Sequence, residues 1–198
     1  LDRLTLKQYF DESHEFWKLI LKKLDETGGI HRMSFERLQI LYVCIRHFKP
    51  KIVVETGVAG GATSLAILFA MHKNNLGKLY SIDIGITDWF PSGYNVGYLV
   101  PDEFRQRWNL TIGDSKKELP LLLESLEKID LFFHDSDHSF EHMMFEFNTV
   151  FPYLKSDKII LSDDVNLNSS FTDFSKKNHL KFELFFGFGI LKNHIYDK

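Results

Sequence analysis

The feature that most constrains this chain is an alternation that begins at Lys51. Short apolar runs at Ile52–Val54, Leu79–Ile82, Leu110–Ile112, Leu131–Phe133 and Ile159–Leu161 are each followed by a segment long enough for a helix. Strands spaced by helix-length crossovers pair in parallel, since a tight turn can join only antiparallel neighbours. Between the fourth and fifth runs, Phe140, Met143, Met144, Phe147, Val150 and Phe151 recur at helical spacing, which predicts a crossover helix with one apolar face in a right-handed βαβ unit. The runs Phe182–Phe186 and Ile190–Tyr196, separated by Gly187 and Gly189, predict an antiparallel hairpin closing the sheet. The expected architecture is α/β, a three-layer α/β/α sandwich on a mostly parallel sheet.

Before the alternation lie two helical patterns. Phe10, Phe16, Trp17, Ile20 and Leu24 end at Gly28-Gly29, and Phe35, Leu38, Leu41 and Ile45 end before Pro50. Residues 1–50 therefore form a helical preface to one domain spanning 1–198. A chain of 198 residues with 44% hydrophobic content and 19 Phe can bury a single core without staples. Cys44 sits among Leu38, Leu41 and Ile45 and reads as a small buried hydrophobe, so no disulfide is expected.

A net charge of -3, with no basic run longer than Lys22-Lys23 or Lys116-Lys117, argues against a nucleic-acid partner. Apolar runs such as Leu65–Met71 are too short to span a bilayer, and the acidic start (Asp2, Asp11, Glu12) lacks a signal-peptide pattern. The expectation is a cytoplasmic enzyme with a small-molecule partner and no membrane partner, homo-oligomerisation being left open.

Ligands of open parallel sheets bind beyond the carboxyl ends of the strands, so the residues following each run carry the functional reading. The first run leads into Glu55-Thr56-Gly57-Val58-Ala59-Gly60-Gly61 and then a helix containing Thr63 and Ser64. Glycines there let the backbone approach a ligand, and the helix N-terminus presents free N–H groups. Glu55, Thr56, Gly57, Gly60, Gly61 and Ser64 form the candidate cofactor loop. The second run ends at Asp83, whose carboxylate can accept from two vicinal ribose hydroxyls. The third leads into Gly113-Asp114-Ser115, where Asp114 can accept from an adenine amino group, or Ser115 and Glu118 can make a capping box.

The fourth and fifth runs lead into His134-Asp135-Ser136-Asp137-His138 and Ser162-Asp163-Asp164. Adjacent parallel strands bring these ends together, so Asp135, Asp163 and Asp164 can share one hard cation, Mg²⁺ by preference. Helix N-caps are the other reading of the same carboxylates.

Glu55-x-Gly57-x-x-Gly60-Gly61, Asp83 and Gly113-Asp114-Ser115 follow one another in an order that resembles the class I S-adenosylmethionine-dependent methyltransferases, over roughly residues 34–165. The pattern looks closest to the metal-dependent O-methyltransferases that act on macrolide sugars and aminocoumarins, and is more distantly similar to the catechol and caffeoyl-CoA enzymes. The resemblance implies a Rossmann-like seven-stranded sheet, S-adenosylmethionine as methyl donor with Asp83 on its ribose, and Gly57–Gly61 and Asp135 among its contacts. It also implies a base at His138, where related enzymes place lysine or histidine, with Asp137 second. Asp164 departs from the catechol and caffeoyl-CoA pattern, which has asparagine there. His14, His31, His47, His72, His142, His179 and His194 show no metal-ligand spacing and read as structural or solvated. The connection 85–107, with Trp89, Phe90, Tyr94 and Tyr98 among Gly93, Gly97 and Pro101, has the composition of a substrate lid. A nicotinamide-dependent oxidoreductase is the competing enzyme reading, weakened by the missing G-x-G-x-x-G spacing, and a nucleoside-binding module without catalysis is a third.

Overall fold

The computed structural model describes residues 2–29 and 33–193. Two helices open the chain. α1 (Arg3–Thr27) starts at Asp2, whose carboxylate accepts from the Leu4 and Thr5 amides, and stops at Gly28 in the left-handed region. α2 (Phe35–Phe48) starts at Ser34 and ends at Lys49.

The alternation then appears as β1 (Ile52–Thr56), α3 (Ala62–Asn74), β2 (Lys78–Asp83), a 3₁₀ segment at Asp102–Arg107, β3 (Trp108–Ile112), α4 (Ser115–Leu126), β4 (Ile129–His134), α5 (Phe140–Val150) and β5 (Leu154–Ser162). α6 (Ser170–Lys177), β6 (Lys181–Phe185) and β7 (Phe188–Lys192) complete it. The seven strands lie in the order β3-β2-β1-β4-β5-β7-β6. The first five are parallel, and β7 runs antiparallel to both β5 and β6. The hairpin forms as expected, but its second strand starts at Phe188, earlier than the apolar run Ile190–Tyr196 suggests, and residues 194–196 lie outside the described set. Phe186 and Gly187, both with positive φ, make its two-residue turn. That geometry matches the twist of the flanking strands, at a cost for Phe186, which carries a Cβ.

Each strand side supplies a separate apolar layer. Val53, Leu131, Phe133, Ile159 and Leu161 pack with Phe16, Leu38, Leu41 and Leu65 from α1, α2 and α3. Val54, Phe132 and Ile160 pack with Leu119, Leu123, Met143, Phe147, Phe171 and Phe174 from α4, α5 and α6. Neighbouring residues of one strand point to opposite faces, so a sheet buried on both sides requires continuous apolar runs, which is what made these strands readable. α3 is buried on nearly every side between sheet and preface, as its uninterrupted run Leu65–Met71 demands. Cys44 is buried and unpaired, as expected. Among the described residues no helix is long and apolar enough to cross a membrane.

The strand order reverses between β1 and β4, since the chain leaves β1 toward β2 and β3 and returns to its other side for β4 and β5. That switch point opens a crevice at the carboxyl ends of the strands.

Candidate active site

Four backbone hydrogen bonds continue the ladder past the strands and fix the residues beyond them. Gly57 N–H donates to Ile82, Gly113 to Asp83, Asp135 to Thr56 and Asp163 to His134, at 2.8–2.9 Å. The Gly57, Gly113, Asp135 and Asp163 backbones are thus tied to the sheet. They border a cleft of about 520 Å³ lined by Gly57, Gly60, Asp83, Asp114, Ser115, Asp135, Asp137, His138, Asp163 and Asp164, all sites expected from sequence.

The glycine loop is built to be thin. Gly57 has φ +81°, and a Cβ there would lie 1.9 Å from the Asp135 carbonyl oxygen. Gly61 caps α3 at φ +93° without a side-chain bond to the helix N-terminus. Asp83 ties this loop to β2: its Oδ2 accepts from the Val58 and Ala59 amides at 2.8 and 2.9 Å, and its Oδ1 from Gly85 at 2.7 Å. A carboxylate has room for about four hydrogen bonds, so Asp83 keeps acceptor capacity toward the cleft.

Three members of the expected cofactor loop lie under the cleft instead of facing it. Glu55, Thr56 and Ser64 are fully buried. Glu55 accepts from Thr63, Ser64 and Ser81 at 2.6–2.8 Å, and Ser64 is spent on that bond. Burial pushes the Glu55 carboxyl up to about 7 despite those three donors. Gly61 packs on Gly97 and also lies off the cleft lining. A strand-end residue whose side chain alternates inward joins the core, and the linear motif does not reveal which residue that is.

Asp114, not Ser115, caps α4, accepting from the Lys116 amide at 2.9 Å. The capping box expected from Ser115 and Glu118 is thereby corrected. Ser115 is the first helical residue, and its hydroxyl meets His142 Nε2 at 2.9 Å. Asp137 accepts from the Ser139 amide at 2.8 Å ahead of α5, whose cap is Ser139. Asp135 and Asp164 cap no helix.

His138 stands with Nε2 3.7 Å from Asp135 Oδ1. Burial, then the neighbouring His134, lowers its pKa from 6.5, so the ring is neutral at pH 7. Its buried Nδ1 and the buried Nε2 of His134 find no hydrogen-bond partner among the described residues.

The expected sharing of one cation by Asp135, Asp163 and Asp164 is not what the side chains do. Arg37 of α2 donates through Nη1 to Asp163 Oδ1 and Oδ2 at 2.9 and 3.0 Å and to Asp164 Oδ1 at 2.7 Å. Among the described residues no three His, Cys, Asp or Glu side chains are grouped to hold a metal ion. As arranged, the donor set does not fit Mg²⁺, because a guanidinium already engages two of its three carboxylates. Burial raises Asp163 to about 6, with Arg37 opposing and Asp164 adding to the shift. Asp135 is raised well above the usual range by burial and then by Asp163.

Sequence reasoning missed Arg37 and a buried network on α5. Glu146 is fully buried and accepts from Thr56 at 2.6 Å, His134 at 2.7 Å, His142 at 2.9 Å and Ser136 at 3.0 Å. Burial alone would raise its carboxyl, but the bonds from His134 and His142 outweigh it and hold the group well below its usual range. The bond to Glu146, opposed by burial, raises His142. His142, read from sequence as structural or solvated, lies on the cleft wall. The available signal was the i, i+4 spacing of His142 and Glu146 on one helix face. Ile84, Ile86, Trp89 and Leu99 line the cleft as well. Later in the 85–107 connection the Gly97 and Leu99 amides donate to Ala59 and Gly60 and Arg105 lies over the Trp108 ring, while Tyr94 is exposed. Ile86 and Trp89 near its start and Leu99 farther along are the residues of the connection that reach the cleft.

Comparison with known proteins decides between the readings left open by this geometry. A family model described as a methyltransferase domain matches residues 54–165. The chain belongs to the methyltransferase-domain family. That match holds the glycine loop, Asp83, Asp114, the 134–138 cluster and Asp163-Asp164, and it bears out the resemblance to S-adenosylmethionine-dependent methyltransferases over the oxidoreductase alternative. Similar folds are found in the SAH-bound methyltransferase PaMTH1 of Podospora anserina (TM-score 0.63, 16% identity, 92% of this chain and 87% of that one). An O-methyltransferase from Bacillus cereus in complex with SAH is also similar (0.60, 12%, 98% and 92%). So is the MycE methyltransferase of the mycinamycin pathway, in complex with Mg, SAH and mycinamycin VI (0.54, 16%, 78% and 49%). No curated protein matches the sequence.

Proposed function

We propose that this methyltransferase transfers a methyl group from S-adenosylmethionine to a hydroxyl oxygen of a small molecule, with His138 as base. The observation that carries the reading is the placement of a neutral, half-buried His138 on the same cleft as the glycine loop and Asp83. The neighbours in complex with SAH support the donor, and the O-methyltransferase among them supports oxygen as the acceptor.

S-adenosylmethionine supplies an electrophilic methyl on sulfonium. The chain's residues hold and orient. Asp83 offers carboxylate oxygens to ribose hydroxyls, the Gly57–Gly60 backbone leaves space for the methionine end, and Ile84 with Asp114 suits a base with an amino edge. Positioning nucleophile and methyl in line is the main contribution such an enzyme makes, and a base adds to it by taking the hydroxyl proton. His138 is suited to that, since a lowered pKa leaves it unprotonated at neutral pH. Asp137, exposed and bound to the Ser139 amide, is the weaker candidate. Metal assistance, the finer reading suggested by Asp135, Asp163 and Asp164 and by the Mg in the MycE complex, forms no step here because of Arg37.

Calorimetric titration with S-adenosylmethionine, followed by methyl transfer to a panel of sugars, polyketides and phenols, tests the proposal. Donor binding together with a His138→Gln variant that binds equally well but turns over at least about 100-fold more slowly is expected. An unchanged rate in that variant removes His138 as base.

A further inference from the structure

The helical preface contributes a charge to the cleft, and the charge is held too firmly to be incidental. Arg37 lies in the first turn of α2. Besides its three contacts to Asp163 and Asp164, its Nε donates to the Phe186 carbonyl at 2.7 Å. That carbonyl belongs to the β6–β7 turn, where Phe186 holds a positive φ and the next residue is Gly187. A Cβ at Gly187 would lie 2.7 Å from Arg37 Nη2, so the turn closes against the guanidinium. Val165 N–H donates to the Gly187 carbonyl and locks the same turn to the residues following β5. Three segments remote in sequence thus meet on one side chain, which also lines the cleft.

We infer that Arg37 is the resident cation of the acceptor half of the cleft, standing where a divalent metal would otherwise balance Asp163 and Asp164. The inference rests on the methyltransferase reading and specifies how its acceptor site is charged. Three carboxylates facing one cleft repel one another, and a positive partner relieves that repulsion. Guanidinium supplies it permanently, since it does not deprotonate in proteins, and its several N–H groups let Nη1 meet Asp163 and Asp164 while Nε holds the Phe186 carbonyl. In the reaction, the hydroxyl oxygen bonds the methyl carbon, the carbon–sulfur bond breaks with its electron pair going to sulfur, and the hydroxyl proton goes to His138. The step balances without a metal. Arg37 acts as a positioning residue that keeps Asp163, Asp164 and the hairpin turn in place beside the acceptor.

The test is Mn²⁺ binding by electron paramagnetic resonance on the full chain with SAH present, for the wild type, Arg37→Met, Asp163→Asn and the Arg37→Met/Asp163→Asn double variant. The wild type should bind Mn²⁺ no better than Asp163→Asn does. Arg37→Met should bind at least about tenfold more tightly, because removing a positive charge about 3 Å from the carboxylates uncovers them, and the double variant should lose that gain. Arg37→Lys, which keeps the charge, should show no gain. Wild-type Mn²⁺ binding that disappears in Asp163→Asn would overturn the inference, as would a folded Arg37→Met with no gain. If Arg37→Met does not fold, the comparison of wild type with Asp163→Asn still decides. SAH calorimetry on the same samples separates the two claims, because a wild type that fails to bind SAH counts against the methyltransferase reading, not against the Arg37 assignment.

Discussion

Replacing Glu146 with glutamine should destabilise the fold by several kcal/mol without changing its shape. The carboxylate is fully buried and accepts four hydrogen bonds, two on each oxygen: Thr56 and His134 on Oε2, Ser136 and His142 on Oε1. An amide in the same place turns one oxygen into a donor facing one hydroxyl, which can rotate to accept, and one imidazole N–H, which cannot accept in that tautomer. One bond is then lost, and the other three lose their charge. Bonds to a charged group contribute about 1.5–3 kcal/mol each and neutral ones about 1 kcal/mol less, so losing one bond and the charge on three amounts to about 3–6 kcal/mol. This agrees with the ~3–5 kcal/mol expected when one partner of a buried charged network is removed. Urea unfolding followed by circular dichroism reads the effect. With a slope near 3 kcal/mol/M the midpoint should fall by about 1–2 M. The lowered carboxyl pKa sets the pH dependence: stabilisation by Glu146 is complete above its unfolded value of 4.5 and is lost as pH falls through the folded value. The difference between wild type and variant should therefore shrink in acid. A midpoint shift under about 0.3 M at pH 7 would refute the account of this network.

Other expectations follow from single contacts. Gly57→Ala should lose S-adenosylmethionine binding, measured by calorimetry, since its Cβ has no space beside the Asp135 carbonyl and its φ is positive. Phe186→Asn should raise thermal stability by about 1 kcal/mol, because asparagine tolerates positive φ and the Arg37 bond uses only the backbone there. The turnover rate should fall as pH drops through a pKa below 6.5, where His138 gains its proton, and a pH profile with no such limb in the wild type would count against His138.

The strands and the cleft side of the sheet were legible because parallel strands buried on both faces need unbroken apolar runs, and because ligand-facing residues come directly after them. Asp83, His138, Gly57 and Gly60 could be located in this way. The fate of Glu55, Thr56 and Ser64 could not, as it depends on which face each side chain takes within a turn. Arg37 was also illegible: its partners lie 126 and 127 residues away, and only the packing of α2 on the sheet brings them together. A carboxylate cluster read without its counter-charge looks like a metal site. The buried Glu146 network was hidden for a related reason, since its donors come from β1, β4, the loop after β4 and α5.

The most direct test of the central claim is calorimetric titration of the wild type and Asp83→Ala with S-adenosylmethionine and, separately, with NAD. Micromolar S-adenosylmethionine binding, weakened at least about tenfold in Asp83→Ala through lost carboxylate hydrogen bonds, is the predicted result. Binding of NAD in preference, or S-adenosylmethionine binding indifferent to Asp83, would contradict the assignment of this cleft as the methyl-donor site.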